Sequence, residues 1–282
     1  MSNGAAPRRL LLPGIIFYAT FFAIPLGILV LYSFWTQIDF KMHAGFTTDH
    51  YREVVSTALY RGVFLRTIIV ALTTTCIVVP IAYALAYMMR FIFPRGGRIL
   101  LDIMLISMFS GYLVRIYAWR TILGKEGLLN AALLQLRIIT KPLTFLIFSN
   151  WSIAITLVGL LLPLALLPIS SSMLNVSKDH LEVARDLGSR GMKLHRTIII
   201  PMVLPGINAA FAISFILAAG DFVVPTMVGG TKGVMVGNLI ADQFKGLAPN
   251  WPLGAALAFT VLFVLLAIHI AAMRLLRQIT RW

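Results

Sequence analysis

Charge is scarce in this chain. Asp, Glu, Lys and Arg make up 12% of its 282 residues, about half the share of an ordinary soluble domain. That is too little to cover the surface of a water-soluble protein of this length. Cysteine is almost missing: Cys76 stands alone, which excludes a disulfide within the chain and a thiolate metal cluster. Cys76 itself reads as a small residue packed in an apolar helix. The sequence has no Gly-x4-Gly-Lys-Ser/Thr phosphate loop, no His-Glu-x-x-His zinc helix and no Gly-x-Ser-x-Gly elbow. The run Gly229-Gly230-Thr231-Lys232 lacks the phosphate-loop spacing. These absences argue against catalysis, and against ATP hydrolysis, by this chain. No low-complexity segment, internal repeat or appended soluble domain is expected.

What is present is apolar. Hydrophobic residues account for 59% of the chain and the mean hydropathy is +0.90. Six stretches are long enough to cross a bilayer: Leu10–Trp35, Thr67–Met89, Ile99–Ala118, Leu143–Ser170, Ile198–Val224 and Leu253–Met273. The first follows Arg8 and Arg9 as a secretory signal would. It runs past the length of a signal core and shows no small-residue cleavage site, so it reads as an uncleaved span. The third carries Asp102 and Arg115 near its ends. Prolines at 25, 80, 163, 168 and 205 fall inside spans, where neighbouring helices can satisfy the freed carbonyls. The expected fold is an all-α membrane protein, a single domain built as a bundle of six transmembrane helices, because strands would need a closed barrel.

The net charge of +14 is spread between these stretches rather than gathered in one patch. Nothing resembles a nucleic-acid-binding module. Of the 24 basic residues, thirteen fall in the segments on the N-terminal side of the membrane and nine in the opposite ones, with Arg66 and Arg115 at span edges. The former segments are short and the latter long, so the basic density places both termini in the cytoplasm.

Between the fourth and fifth spans, Lys178 to Thr197 is polar yet keeps Leu181, Ala184 and Leu187 at helical spacing. Gly188 is placed to end such a helix. This describes a short amphipathic helix, either docked to a partner or resting on the bilayer. Its residues carry a resemblance. Glu182-Val183-Ala184, Gly188 and Ile198-Ile199-Ile200-Pro201 are similar to the signature of the permeases of bacterial binding-protein-dependent ABC importers. That signature runs Glu-Ala-Ala, three residues, Gly, nine residues, Ile-x-Leu-Pro. Val183 and Ile200 replace an Ala and a Leu, both apolar exchanges.

The resemblance implies that this segment is a cytoplasmic coupling helix that docks in a groove of the ATPase subunit. Glu182, Ala184, Leu187, Gly188 and Pro201 are then its coupling residues: Ala184 permits close approach, Gly188 a sharp turn, and Glu182 pairing with a basic group. It also implies two ATPase subunits that bind the ATP and Mg, no cofactor in this chain, an extracytoplasmic solute-binding protein and a second permease chain, as a heterodimer, in the inner membrane. Two further stretches resemble spermidine/putrescine permeases: Arg115-Ile116-Tyr117-Ala118-Trp119 with Gly124, Gly127 and Asn130, and Gly220 to Phe244 followed by Asn250 to Ala256. The same subfamily contains importers of opines, other amines and organophosphonates.

Ionisable residues at membrane depth are candidate functional sites. Asp221 at the outer end of the fifth span is placed to meet an ammonium group, with Phe222 as a cation–π face, or else to cap a helix end or pair with Arg115. Arg115, Tyr117 and Trp119 form a basic and aromatic cluster that reads as an interface belt or as part of a gate. Tyr83 and Tyr87 share one face of the second span, for packing or for lining the pathway. Asp102 reads as a helix cap or a partner of Arg98, and His269 as a packed, hydrogen-bonded core residue. A secondary carrier would need more intramembrane charges and no docking segment. A membrane-embedded enzyme would need a cluster of His, Asp or Glu inside the spans.

Overall fold

The computed structural model describes residues 12–279; Arg8, Arg9 and Arg281, part of the charge bias above, lie outside them. The described chain forms two compact units. One comprises the chain up to Arg61 with Leu239–Leu262, the other Gly62–Asn238 with the chain from Phe263.

In the first unit, α1 (Leu12–Tyr32) is apolar on every side and buries none of its residues, the pattern of a helix solvated by lipid. Ser33 closes it, bonding its hydroxyl to the Val30 carbonyl at 2.7 Å and accepting from the Tyr51 hydroxyl at 2.7 Å. An antiparallel hairpin follows, β1 (Thr36–Ile38) and β2 (Lys41–His43). Asp39 and Phe40 both have positive φ, 48° and 61°, as a two-residue hairpin turn matched to strand twist requires. This hairpin lies outside the spans, so it needs no barrel closure. Phe34 stacks on Phe46 with 4.9 Å between ring centroids, next to α2 (Asp49–Ser56). Gln37 ties the hairpin to the chain near Trp251, donating to the Pro249 carbonyl at 2.5 Å and accepting from the Trp251 amide at 3.3 Å.

The second unit holds most of α3 (Ala58–Ile92) and the helices α4 (Pro94–Met108), α5 (Tyr112–Leu123), α6 (Leu128–Gln135), α7 (Asn150–Met173) and α8 (Lys178–Asp186). It continues through α9 (Met192–Gly220), a turn at Pro225–Gly229 and the start of α10 (Val236–Lys245), and ends on the C-terminal part of α11 (Trp251–Ile279). The core lies along α7 and α9. Small residues let these helices approach: a Cβ at Gly206 would fall on the Pro168 carbonyl oxygen and the Ser172 side chain. Ser149 and Ser152 form a capping box at the start of α7, and the Ser152 hydroxyl also reaches the Val228 carbonyl at 2.6 Å. The loop before α10 is fastened to α3, where Thr67 Oγ1 accepts from the Val236 amide at 2.9 Å and Arg66 donates to the Val234 carbonyl at 3.1 Å.

Five continuous helices, α1, α3, α7, α9 and α11, are long and apolar enough to cross a membrane. The third expected span, Ile99–Ala118, is not one of them: α4 and the α5–α6 segment meet at 107°. Phe109 and Ser110 leave the helix and Gly111, with φ −54° and ψ 140°, starts the next one. The 15 residues of α4 reach about 22 Å, less than the roughly 30 Å of a hydrocarbon core, so a sixth crossing needs both arms of this broken pair. Other ends also move: the helix of the second span begins at Ala58 and that of the fifth at Met192, both ahead of the expected starts. The fourth span begins at Asn150, because residues 143–149 form a short turn and a non-helical stretch with Phe148 at φ 56°, and the fifth ends at Gly220, because Asp221 adopts extended dihedrals.

Candidate docking segment and solute cavity

The first candidate site is the segment from Ser177 to Met202. Both ends of α8 are capped by its own sequence. The Ser177 hydroxyl accepts from the His180 amide at 3.2 Å, and His180 Nδ1 accepts from the Ser177 amide at 3.3 Å. At the other end Gly188 has φ +81°. Its amide reaches the Arg185 carbonyl at 2.9 Å and the Ser189 amide reaches the Ala184 carbonyl at 2.8 Å, the two bonds of a Schellman cap. Leu181 and Ala184 are buried against the chain, while Glu182, Val183 and Leu187 are exposed. Leu187 therefore does not share the face of Leu181 and Ala184: it is the cap residue and stands 81% exposed. Ala184 is small because it faces the start of α9. Between α8 and α9 lies an apolar cavity of about 430 Å³, lined by Val183, Ala184, Leu187, Ile198, Pro201 and Met202 among others.

His195 follows in the first turns of α9 and was given no role by sequence reasoning. Its Nδ1 shares a 2.7 Å hydrogen bond with the Tyr83 hydroxyl, and its ring lies 4.7 Å from that of Tyr87. Tyr87 thus packs on the segment leaving α8. A histidine two turns beyond the signature glycine, opposite a tyrosine pair at i, i+4, was the available signal.

The second candidate site surrounds Asp221. Its Oδ1 accepts from the amides of Val223 and Val224 at 2.8 and 3.0 Å, and its Oδ2 accepts from the Tyr112 hydroxyl. The carboxylate is therefore a helix-end cap, and its tertiary partner is Tyr112 rather than Arg115. Gly237 lets α10 pass close to this corner, since a Cβ there would sit 2.9 Å from the Asp221 carbonyl oxygen. Asn238 braces it further through the Phe222 carbonyl at 2.9 Å and Thr226 at 2.8 Å. A cavity of about 480 Å³ opens here, lined by Tyr112, Arg115, Leu160, Leu164, Asp221 and Phe222 among others. Arg115 stacks over the Tyr112 ring at 5.9 Å and buries its Nε without a hydrogen-bond partner.

The basic and aromatic trio divides. Arg115 faces the cavity, Tyr117 is exposed, and the Trp119 indole fills the space left by Gly159 on α7. Trp119 thus packs on α7. Three more expectations change. Asp102 lies in the interior of α4, one turn beyond Arg98, rather than at the helix start at Pro94, so the cap reading fails and the Arg98 one does not. Cys76 is exposed. His269 packs on Phe211 at 5.7 Å, but its buried Nδ1 has no hydrogen-bond partner.

Residues 54–280 match the family of binding-protein-dependent transport system inner membrane components. The chain belongs to this family. It is 34% identical over 250 residues to the spermidine/putrescine transport system permease protein PotB of Salmonella typhimurium (strain SL1344), covering 87% of this chain and 86% of that one. PotB of Escherichia coli (strain K12) is 33% identical over 250 residues, 87% of this chain and 90% of that one. Among solved structures, the bacterial alginate ABC transporter in complex with its alginate pentasaccharide-bound periplasmic protein has a chain that matches with a TM-score of 0.76. The match covers 97% of this chain and 94% of that one at 17% identity, a likeness of fold. The permease is accordingly a multi-pass inner-membrane subunit of an ABC importer, a transport subunit that works with a solute-binding protein and ATPase subunits.

Proposed function

We propose that this permease forms half of the translocation pathway of a polyamine importer of the putrescine/spermidine class. The observation that carries this reading is the identity to PotB across 87% of the chain. The Asp221 cavity supports it, since a carboxylate beside Tyr112 and Phe222 in walls that are apolar apart from Arg115 suits a cation with a methylene chain. Arg115 on the same cavity favours a second reading: an opine or an aminoalkyl phosphonate carries both signs of charge and would use both side chains.

In either reading a receptor delivers the solute, and a second, different permease chain completes the pathway. Two ATPase subunits bind ATP and Mg, of which this chain binds neither. The N- and C-termini lie in the cytoplasm. One ATPase subunit docks on α8 through exposed Glu182 and Leu187, with Gly188 fixing the turn, and on the apolar cavity that Ala184 and Pro201 line. Closure of the ATPase pair moves α8 and with it the bundle.

The test is ATP-dependent uptake into liposomes holding this chain with the permease, ATPase and receptor encoded beside it. Competing uptake of labelled putrescine and spermidine is the expected result. ATP hydrolysis stimulated only by receptor loaded with a zwitterion would replace the first reading with the second.

A further inference from the structure

The peptide link between α8 and α9 reverses direction sharply. It turns twice through positive φ, at Gly188 (+81°) and Gly191 (+53°), and neither glycine has a neighbouring atom within 4 Å of where a Cβ would stand. The first turn is held by its own cap, the Gly188 and Ser189 amides bonding to the Arg185 and Ala184 carbonyls of α8. The nearest cross-link, Ser189 to Thr197, is a 3.3 Å hydroxyl contact. Beyond these turns, the chain is gripped at His195. Tyr83 bonds its Nδ1 at 2.7 Å, with the rings 5.9 Å apart and near edge-on, and Tyr87 lies against the imidazole at 4.7 Å. Tyr87 is in turn backed by Phe91 at 5.1 Å.

Both helices change register at this contact. α9 has a wide π turn over His195–Ile199 and α3 has another over Met88–Ile92, one residue past Tyr87. Such turns are uncommon and cluster where helices do work. Two further π turns lie elsewhere, at Ala19–Ala23 in α1 and at Pro225–Gly229, so what distinguishes this contact is that a turn on each helix meets at one hydrogen-bonded pair.

We infer that His195 is a positioning residue for transport: its bond to Tyr83 and contact with Tyr87 lock the segment leaving α8 onto α3, so that displacement of α8 reaches the second span. This rests on the importer reading above. A bond between side chains on two helices can be made and broken without unfolding either one, whereas the glycine turns and their cap bonds join α8 to α9 and leave the tie to α3 to the His195 contact. The clamp therefore governs how much hydrolysis becomes transport, not how tightly the ATPase docks.

The experiment compares wild type, Tyr83→Phe, His195→Leu, the double variant and His195→Asn in the four-component liposomes, scoring putrescine imported per ATP hydrolysed. Each single change should lower that ratio by about fivefold, the order set by one lost hydrogen bond, with ATPase copurification unchanged. The double variant should be no worse than the worse single, because both remove the same bond. His195→Asn, which keeps a polar atom near the Nδ1 position, should recover most of the ratio. An unchanged ratio in Tyr83→Phe, or independent multiplying losses, overturns the inference.

Hydrogen exchange on the full chain alone in nanodiscs gives a second readout. Amides 178–194 should exchange several-fold faster in Tyr83→Phe than in wild type, and equal exchange overturns the clamp. Wild-type liposomes that import no putrescine would remove the polyamine reading alone, and the exchange measurement would still decide the clamp.

Discussion

In the proposed function Asp221 serves structure and solute with one carboxylate, and two substitutions separate the roles. Asn keeps an oxygen for the Val223 and Val224 amides but removes the charge. Asp221→Asn should leave thermal stability close to wild type and cut putrescine uptake by about tenfold, the loss of one charge-assisted contact. Asp221→Ala should lose uptake equally and also about 1 kcal/mol of stability, the usual cost of a missing N-cap. Equal uptake by Asn and wild type would make the carboxylate purely structural. Gly188 is a simpler case. Its φ of +81° stands in open space, so Gly188→Ala clashes with nothing and costs only backbone strain, about 1 kcal/mol. A destabilisation well above that in thermal unfolding would mean the turn is packed in a way this geometry lacks. Residue identity alone marked Asp221 and Gly188 as special; it did not reveal that Tyr112 rather than Arg115 meets the carboxylate, because that pairing depends on how α5 turns after Gly111.

At the scale of elements, α8 is held by caps at both ends and buried through Leu181 and Ala184. Its exposed Glu182 is therefore free to be reversed in charge without disturbing the fold. Glu182→Lys should abolish copurification of the ATPase while yield and thermal unfolding of the permease stay unchanged. Normal copurification would end the docking role of that face. The α5–α7 contact should be less forgiving. The Trp119 indole occupies the space beside Gly159, so Gly159→Leu overpacks it and should cost about 1–3 kcal/mol in thermal stability. The long apolar runs made α1, α3, α7, α9 and α11 legible, since uninterrupted hydropathy is the property that defines a span. The same property hid the break at Phe109–Gly111, because hydropathy sums composition and is blind to direction. It also hid the hairpin at Thr36–His43, whose turn residues Asp39 and Phe40 are not the glycine or asparagine usual at positive φ.

For the molecule as a whole, the family was readable because a spaced signature survives two apolar exchanges at Val183 and Ile200. The His195 clamp was not readable, because its two halves are 112 positions apart along the chain. Orientation in the membrane joins these scales, since docking on α8 requires α8 to face the compartment that holds ATP. The sequence has one cysteine, so Cys76→Ser provides a background for single reporters at Leu187, which is 81% exposed, and at exposed Lys232. Between them the described chain contains one helix long enough to cross, α9 (Met192–Gly220), while the Pro225–Gly229 turn is far too short to return. The two positions should therefore lie on opposite sides. A membrane-impermeant maleimide should label Lys232→Cys in intact spheroplasts and Leu187→Cys only after lysis. The reverse pattern would invert the topology and place α8 out of reach of any cytoplasmic ATPase. Labelling of both from outside would mean that α9 does not cross the bilayer, and that the charge bias between short and long loops misassigned its ends.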